Sequence, residues 1–78
     1  MGASRAEAMS SVKKLCRTLD SAPSPHARAR VIYNELSRAE GWSAKEESEI
    51  AAFGQWLSTR PPPTTLKARA LQLINGLG

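Results

Sequence analysis

The chain has 78 residues, of which 41% are hydrophobic, and a formal net charge of +4 at pH 7. This length is enough for one domain with a small core, and it is too short for a deep catalytic cleft walled by that core. Cys16 is the only cysteine and His26 the only histidine, which excludes an internal disulfide framework and the usual multi-cysteine zinc sites. We therefore expect a single domain over residues 1–78 that uses no cofactor.

The first helix is predicted near residues 4–20. Ser4 and Glu7 have the spacing of a capping box, in which the two side chains satisfy backbone N–H groups at a helix start. The apolar residues that follow recur at helical spacing and form one stripe: Met9, Val12, Leu15, Cys16 and Leu19. A thiol inside such a stripe is expected to be buried and unreactive, because reactive cysteines need electropositive, partly exposed surroundings.

The second helix is predicted near residues 25–40. Ser24 is a favourable N-cap residue, and Pro25 suits the first helical position, where its missing N–H costs nothing. Gly41 supplies a left-handed stop at the other end. The predicted buried face consists of Ala29, Ile32, Tyr33, Leu36 and Ala39.

The third helix, over residues 44–58, has the strongest start signal, because Ser43 and Glu46 repeat the capping box. Its apolar stripe, flanked by Trp56, is formed by Ile50, Phe53 and Leu57. Gly54 is a weak point, since glycine in a helix interior costs about 1 kcal/mol relative to alanine. Arg60 and the three prolines after it are expected to end this helix and to stiffen the linker.

A short fourth helix is predicted near residues 65–75, starting at Thr64 or Thr65 and ending at Asn75-Gly76. One side of it carries Leu66, Ala70, Leu73, Ile74 and Leu77. No segment shows the alternation of a β-strand. The predicted fold is an all-α compact bundle of three main helices plus a short C-terminal fourth helix.

The charge distribution argues against the obvious mode of DNA binding. The segment 42–58 holds one base and three acids, which sum to −2 and leave +6 for the rest of the chain. A helix-turn-helix frame with Gly41 in the turn would make the third helix the DNA reader. That helix would present Glu46, Glu47 and Glu49 to the phosphates, which repels them. This frame is therefore rejected.

We predict a non-catalytic interaction protein, regulatory or inhibitory, that docks on a larger protein through exposed apolar residues framed by basic and acidic faces. The predicted partner-binding residues are the helix-one bases Lys13, Lys14 and Arg17, together with Trp42 and Trp56, because tryptophan dominates binding hot spots. The acidic start of the third helix complements the basic face, so a homo-oligomer is compatible with the same two poles.

A nucleic-acid-binding module is the main alternative, because the sequence pI is near 9.9. It would use the bases of the first helix and of the C-terminal part of the chain: Lys13, Lys14, Arg17, Arg60, Lys67 and Arg69. The affinity of such a module should fall steeply with salt, whereas docking through an apolar anchor should show a shallow salt dependence.

A third hypothesis places the protein on a membrane. Met1-Gly2 with a small residue at Ala6 is a permissive form of the N-myristoylation signal. A lipid on Gly2 and the helix-one bases would supply the two signals that stable attachment needs. Such a protein would resemble a retroviral matrix protein in general plan. Without the lipid no membrane association is expected, since no apolar run approaches ~18 residues, and the expected location is soluble, intracellular and by default cytoplasmic.

Overall fold

The computed structural model describes residues 4–77, and four α-helices account for most of them. The helices are α1 (Arg5–Arg17), α2 (Pro25–Arg38), α3 (Ala44–Ser58) and α4 (Pro63–Leu77), with a 3₁₀ turn (Leu19–Ser21) after α1. Within the described range the only β-type pairing is an isolated bridge between Ser4 and Glu40. The predicted all-α class is therefore confirmed, and α3 has the predicted bounds.

The first helix ends earlier than predicted, at Arg17. Thr18 leaves helical geometry with φ −106° and ψ 11°, and the chain tightens into the 3₁₀ turn. This turn places Leu19 in the core with no exposed surface. Burial of Leu19 thus extends the apolar stripe of α1 past the end of the α-helix itself.

The second helix also ends early, at Arg38. Ala39 is extended, with φ −76° and ψ 153°, and it is buried. The Leu36 carbonyl accepts two hydrogen bonds at this helix end, one from the Ala39 N–H at 3.3 Å and one from the indole Nε1–H of Trp42 at 2.8 Å. Gly41 has φ 95°, the left-handed conformation expected of it.

The fourth helix is longer than predicted. It has 15 residues, as many as α3, so the description of a short closing helix is not confirmed. Pro63 is its first residue, because proline fits the first turn of a helix. The helix continues through Gly76 because Leu77 is buried in the core. Only two of the three prolines therefore lie outside a helix.

One apolar core receives side chains from all four helices and from the 3₁₀ turn: Val12, Cys16, Leu19, Ala29, Ile32, Leu36, Ile50, Phe53, Leu57, Leu66, Ala70, Ile74 and Leu77. No polar or charged side chain among the described residues is buried. Within residues 4–77, no helix combines the length and apolarity needed to cross a bilayer.

Gly54 of α3 is buried and packs against Tyr33 of α2. A β-carbon added there would lie 2.5 Å from Cε1 and 2.7 Å from Cζ of Tyr33. The tyrosine ring therefore occupies the space that any other residue would need at position 54. This contact explains why an unfavourable helix residue stands in the middle of α3.

Candidate interaction surfaces

The basic face, defined as Lys13, Lys14 and Arg17, lies on the outer side of α1. All three residues are exposed, whereas Val12 and Cys16 on the other side of the helix are fully buried. None of the three bases forms an ion pair with another residue of the described range. Their charges are therefore available to an external acidic group.

The α3–α4 groove is a depression of about 200 Å³ between these two helices. Residues that line it include Glu49, Ala52, Phe53, Arg69, Leu73 and Gly76. Phe53 is buried and Leu73 half-buried, so they form an apolar floor. Glu49 on α3 and Arg69 on α4 contribute opposite charges to the lining. The groove therefore combines an apolar contact area with two oriented charges.

Gly76 leaves one part of the groove open. A β-carbon at this position would lie 3.6 Å from Oε2 of Glu49, an ordinary contact distance. An alanine would fit here without moving the backbone, but its methyl group would enter the groove beside the carboxylate.

Trp56 connects α3 and α4 beside the groove. Its ring centroid lies 5.8 Å from that of Phe53, with a tilt of 32°, and the Arg69 guanidinium carbon lies 5.4 Å from the Trp56 ring centroid. These distances are typical of aromatic pairing and of a cation–π contact. Trp56 is half-buried, so it holds Arg69 in place and still presents part of its indole to solvent.

Trp42 has a different setting, in which its contacts are internal. Besides the bond from Nε1 to Leu36, its ring centroid lies 5.6 Å from the guanidinium carbon of Arg5. Arg5 also lies 3.6 Å from the Glu46 carboxylate and donates to the Leu77 carbonyl at 3.4 Å. Trp42 and Arg5 thus connect the start of α1 with the end of α2, the start of α3 and the end of α4. The predicted role of Trp42 in partner binding is not tested by these contacts.

The three glutamates near the start of α3, Glu46, Glu47 and Glu49, have different environments. The Ser43 backbone N–H donates to Glu46 Oε1 at 2.9 Å, and Ser43 Oγ accepts the Glu46 N–H at 3.2 Å. The predicted capping box is therefore confirmed. The backbone bond from Ser43, assisted by the positive charge of Arg5, lowers the pKa of Glu46. Glu47 is exposed, and Glu49 faces the α3–α4 groove.

The C-terminal bases of the nucleic-acid alternative stand in three separate environments. Lys67 Nζ pairs with Asp20 Oδ2 at 3.5 Å, Arg69 lies over Trp56, and Arg60 follows α3 with φ 56°. Lys67 and Arg69 therefore already make internal contacts, and phosphate binding would have to replace or share them.

Cys16 and His26, the only cysteine and the only histidine of the sequence, both have internal partners. Cys16 is buried, its thiol lies 3.9 Å from the Lys67 carbonyl oxygen, and desolvation raises its pKa, so the predicted buried thiol is confirmed. His26 Nε2–H donates to the Pro61 carbonyl at 2.6 Å. Residues 4–77 contain no group of three or more His, Cys, Asp or Glu side chains placed to hold a metal. The absence of catalysis stays a prediction.

Two exposed apolar residues lie apart from these surfaces. Val31 on α2 and Leu71 on α4 are 42% and 43% exposed. Leu71 is two positions from both Arg69 and Leu73, and at 3.6 residues per turn it points to the other side of α4 from the groove. It therefore extends the apolar surface of α4 without forming part of the groove. Gly2, the predicted lipidation site, lies outside the described residues.

The groove residues Ala52, Gln72 and Gly76 were not anticipated from the sequence. Small and polar residues at exposed helix positions carry no signal of their own, and a groove exists only once two helices are packed together. Gly76 was predicted to end the fourth helix, and that prediction gives no indication of a groove.

Comparison with known proteins gives no relative from which a function could be transferred. No protein-family model matches the chain, and neither a curated protein nor a solved structure matches it. Function is therefore inferred from the surfaces described above.

Proposed function

We propose that this chain is a small non-catalytic interaction protein that docks on a larger protein and thereby regulates or inhibits it. The observation that carries the proposal is the α3–α4 groove. Small-molecule sites commonly measure about 300–1,000 Å³, so a groove of about 200 Å³ is small for a substrate or cofactor. It suits a large apolar side chain of a protein partner.

The groove can also orient what it binds. An apolar side chain of the partner would rest on Phe53 and Leu73, while Glu49 and Arg69 would pair with a basic and an acidic group beside it. Because Arg69 is held over Trp56, little side-chain freedom is lost when it engages a partner, and such preorganisation favours binding. The exposed edge of Trp56 adds an aromatic contact of the kind that dominates hot spots.

The basic face of α1 supplies long-range attraction to an acidic surface. Its three charges, which form no ion pair within residues 4–77, would raise the association rate more than the final affinity. The exposed Glu47 gives the chain a pole of opposite sign, so self-association in solution belongs to the same proposal. This mode of action requires a soluble protein, and we place it inside the cell.

A groove-filling substitution tests the proposal. Ala52 and Ala51 are adjacent exposed residues of α3, but only Ala52 lines the groove. The protein partner captured from source-cell lysate would be identified by mass spectrometry, purified, and titrated against both variants. Ala52→Phe should weaken binding by about tenfold or more, as loss of a hot-spot contact does, whereas Ala51→Phe should stay within about twofold of the unmodified chain.

Circular dichroism and the melting temperature would check that both variants keep the fold. Equal affinities for the two variants would exclude the groove as the docking site.

Measurement of the affinity at several salt concentrations distinguishes the nucleic-acid alternative from docking on a protein. If the ligand is a nucleic acid, log affinity falls linearly and steeply with log salt, and the double variant Lys13→Glu/Arg17→Glu abolishes retention. That result would overturn the proposal of a protein partner.

A further inference from the structure

A second pocket, of about 580 Å³, lies where the start of α2 meets the end of α3. We call it the α2–α3 pocket and define it by its lining residues His26, Arg30, Leu57, Ser58 and Arg60. No carboxylate belongs to this lining. Neither Arg30 nor Arg60 forms an ion pair with another residue between 4 and 77. The pocket is therefore a concave surface with two guanidinium charges that no described acid neutralises.

The backbone at Arg60 is unusual. Its φ of 56° lies in the left-handed region, which among the described non-glycine residues occurs only here. The residue stands just past the C-cap of α3, and its N–H donates to the Leu57 carbonyl at 3.1 Å. Glycine is the common residue at this position, because it has no β-carbon. Pro61, the next residue, disfavours the right-handed helical conformation at Arg60.

An arginine therefore stands where glycine would be more stable, and this residue belongs to the pocket lining. Backbone positions of this kind cluster at active sites and ligand clamps, where the surrounding structure compensates for their cost. Two other polar groups of the lining already have partners. Ser58 Oγ donates to the Gly54 carbonyl at 3.2 Å, and His26 Nε2–H is used by Pro61. Arg30 and Arg60 are exposed, so their hydrogen-bond donors face solvent and are open to an external anion.

We propose that the α2–α3 pocket binds the phosphoryl group of a small phosphate monoester. The planar fork of an arginine side chain matches the oxygens of a phosphate and forms paired, charge-assisted hydrogen bonds with it. The volume falls within the range of small-molecule sites and exceeds the need of a bare phosphate. Leu57 offers an apolar contact to the organic part of the ligand. This surface is distinct from the α3–α4 groove, so the inference does not depend on the proposed protein partner.

The test is an NMR titration of the ¹⁵N-labelled full chain at constant ionic strength, with phenyl phosphate in one arm and inorganic phosphate in the other. Phenyl phosphate should give saturable shifts centred on the backbone amides of His26, Arg30 and Arg60, with higher affinity than inorganic phosphate. Arg30→Gln and Arg60→Gln should each weaken phenyl phosphate binding by about tenfold, as loss of a charged hydrogen bond does. Arg38→Gln is the matched control, because Arg38 is exposed on the same helix and outside the pocket, and it should leave the affinity unchanged.

Arg60→Gly keeps the test interpretable if the glutamine variants are destabilised. Glycine relieves the left-handed backbone, so this variant should melt at a higher temperature and still lose phenyl phosphate binding. Shifts that do not saturate, an equal affinity for inorganic phosphate, an equal loss in Arg38→Gln, or normal binding by Arg60→Gly would each overturn the proposal.

Discussion

Gly54→Ala should destabilise the protein when Tyr33 is present and stabilise it when Tyr33 is replaced by alanine. In an open helix interior this substitution stabilises a protein by about 1 kcal/mol, because glycine has more backbone freedom to lose. Here the new β-carbon would lie 2.5 Å from Cε1 of Tyr33. The ring would have to move outward and give up part of its packing between α2 and α3.

The size of the effect follows from these two opposing contributions. Overpacking a fitted contact costs about 1–3 kcal/mol, so after the gain in helix propensity Gly54→Ala should destabilise the protein by about 1 kcal/mol. With Tyr33→Ala the obstructing ring is gone, and the same substitution should then stabilise by about 1 kcal/mol. The expected coupling between positions 33 and 54 is about 2 kcal/mol, within the range for residues in direct contact.

Chemical denaturation of the four proteins of this cycle, followed by tryptophan fluorescence, measures the coupling. Ala51→Gly calibrates the propensity of an exposed position on α3, where about 1 kcal/mol of destabilisation is expected. Additive free energies of unfolding, or a Gly54→Ala effect that is destabilising in both backgrounds, would show that the tyrosine ring does not account for the glycine.

Three further outcomes are expected. Gly76→Ala should raise the free energy of unfolding by about 0.5 kcal/mol, since Gly76 is exposed in a helix and its β-carbon meets only an ordinary contact; a loss of stability in urea titration would contradict this. Cys16 should resist a thiol-reactive dye in the native state and react once denaturant unfolds the chain, because it is buried with a raised pKa; rapid native labelling would show an accessible thiol. The pKa of Glu46 is lowered from 4.5 in the folded protein, so its charge stabilises the fold above that pH, and this contribution is lost as the pH falls through the folded pKa. Glu46→Gln keeps an acceptor for Ser43 but has no charge. The free energy of unfolding of this variant should therefore depend less on pH below 4.5 than that of the unmodified protein. An equal pH dependence in the two proteins would show that Glu46 is not the group responsible.

Features that depend only on neighbouring residues are predicted in part by the sequence. Ser4 accepts the Glu7 N–H without the reciprocal bond of a capping box, and Ser24 makes no side-chain capping bond. The capping box of Ser43 and Glu46 needs only residues three apart, and α3 accordingly begins and ends where predicted. The burial of Cys16 follows from helical periodicity alone. The predicted ends of α1 and α2 are wrong because packing decides both: burial of Leu19 among residues of the other helices draws the chain into a 3₁₀ turn, and the indole of Trp42, which follows α2, folds back on the carbonyl of Leu36.

The candidate sites were less accessible to prediction. The basic face of α1 could be located, since it needs only the periodicity of one helix. The α3–α4 groove and the α2–α3 pocket each need two packed helices, and the spacing of residues within one helix contains no information about the partner helix. Arg30 illustrates this limit: on α2 alone it is one of several scattered bases, and only the end of α3 places it beside Arg60.

The contacts of Arg5 also bear on the order of folding. Its hydrogen bond to the Leu77 carbonyl spans 72 residues of sequence, and such a contact is formed only after most of the loop-closure entropy has been lost. A contact that forms after the transition state slows unfolding without accelerating folding, so Arg5→Ala should accelerate unfolding and leave the folding rate almost unchanged. We therefore expect Arg5 to affect the lifetime of the native state more than the rate of folding.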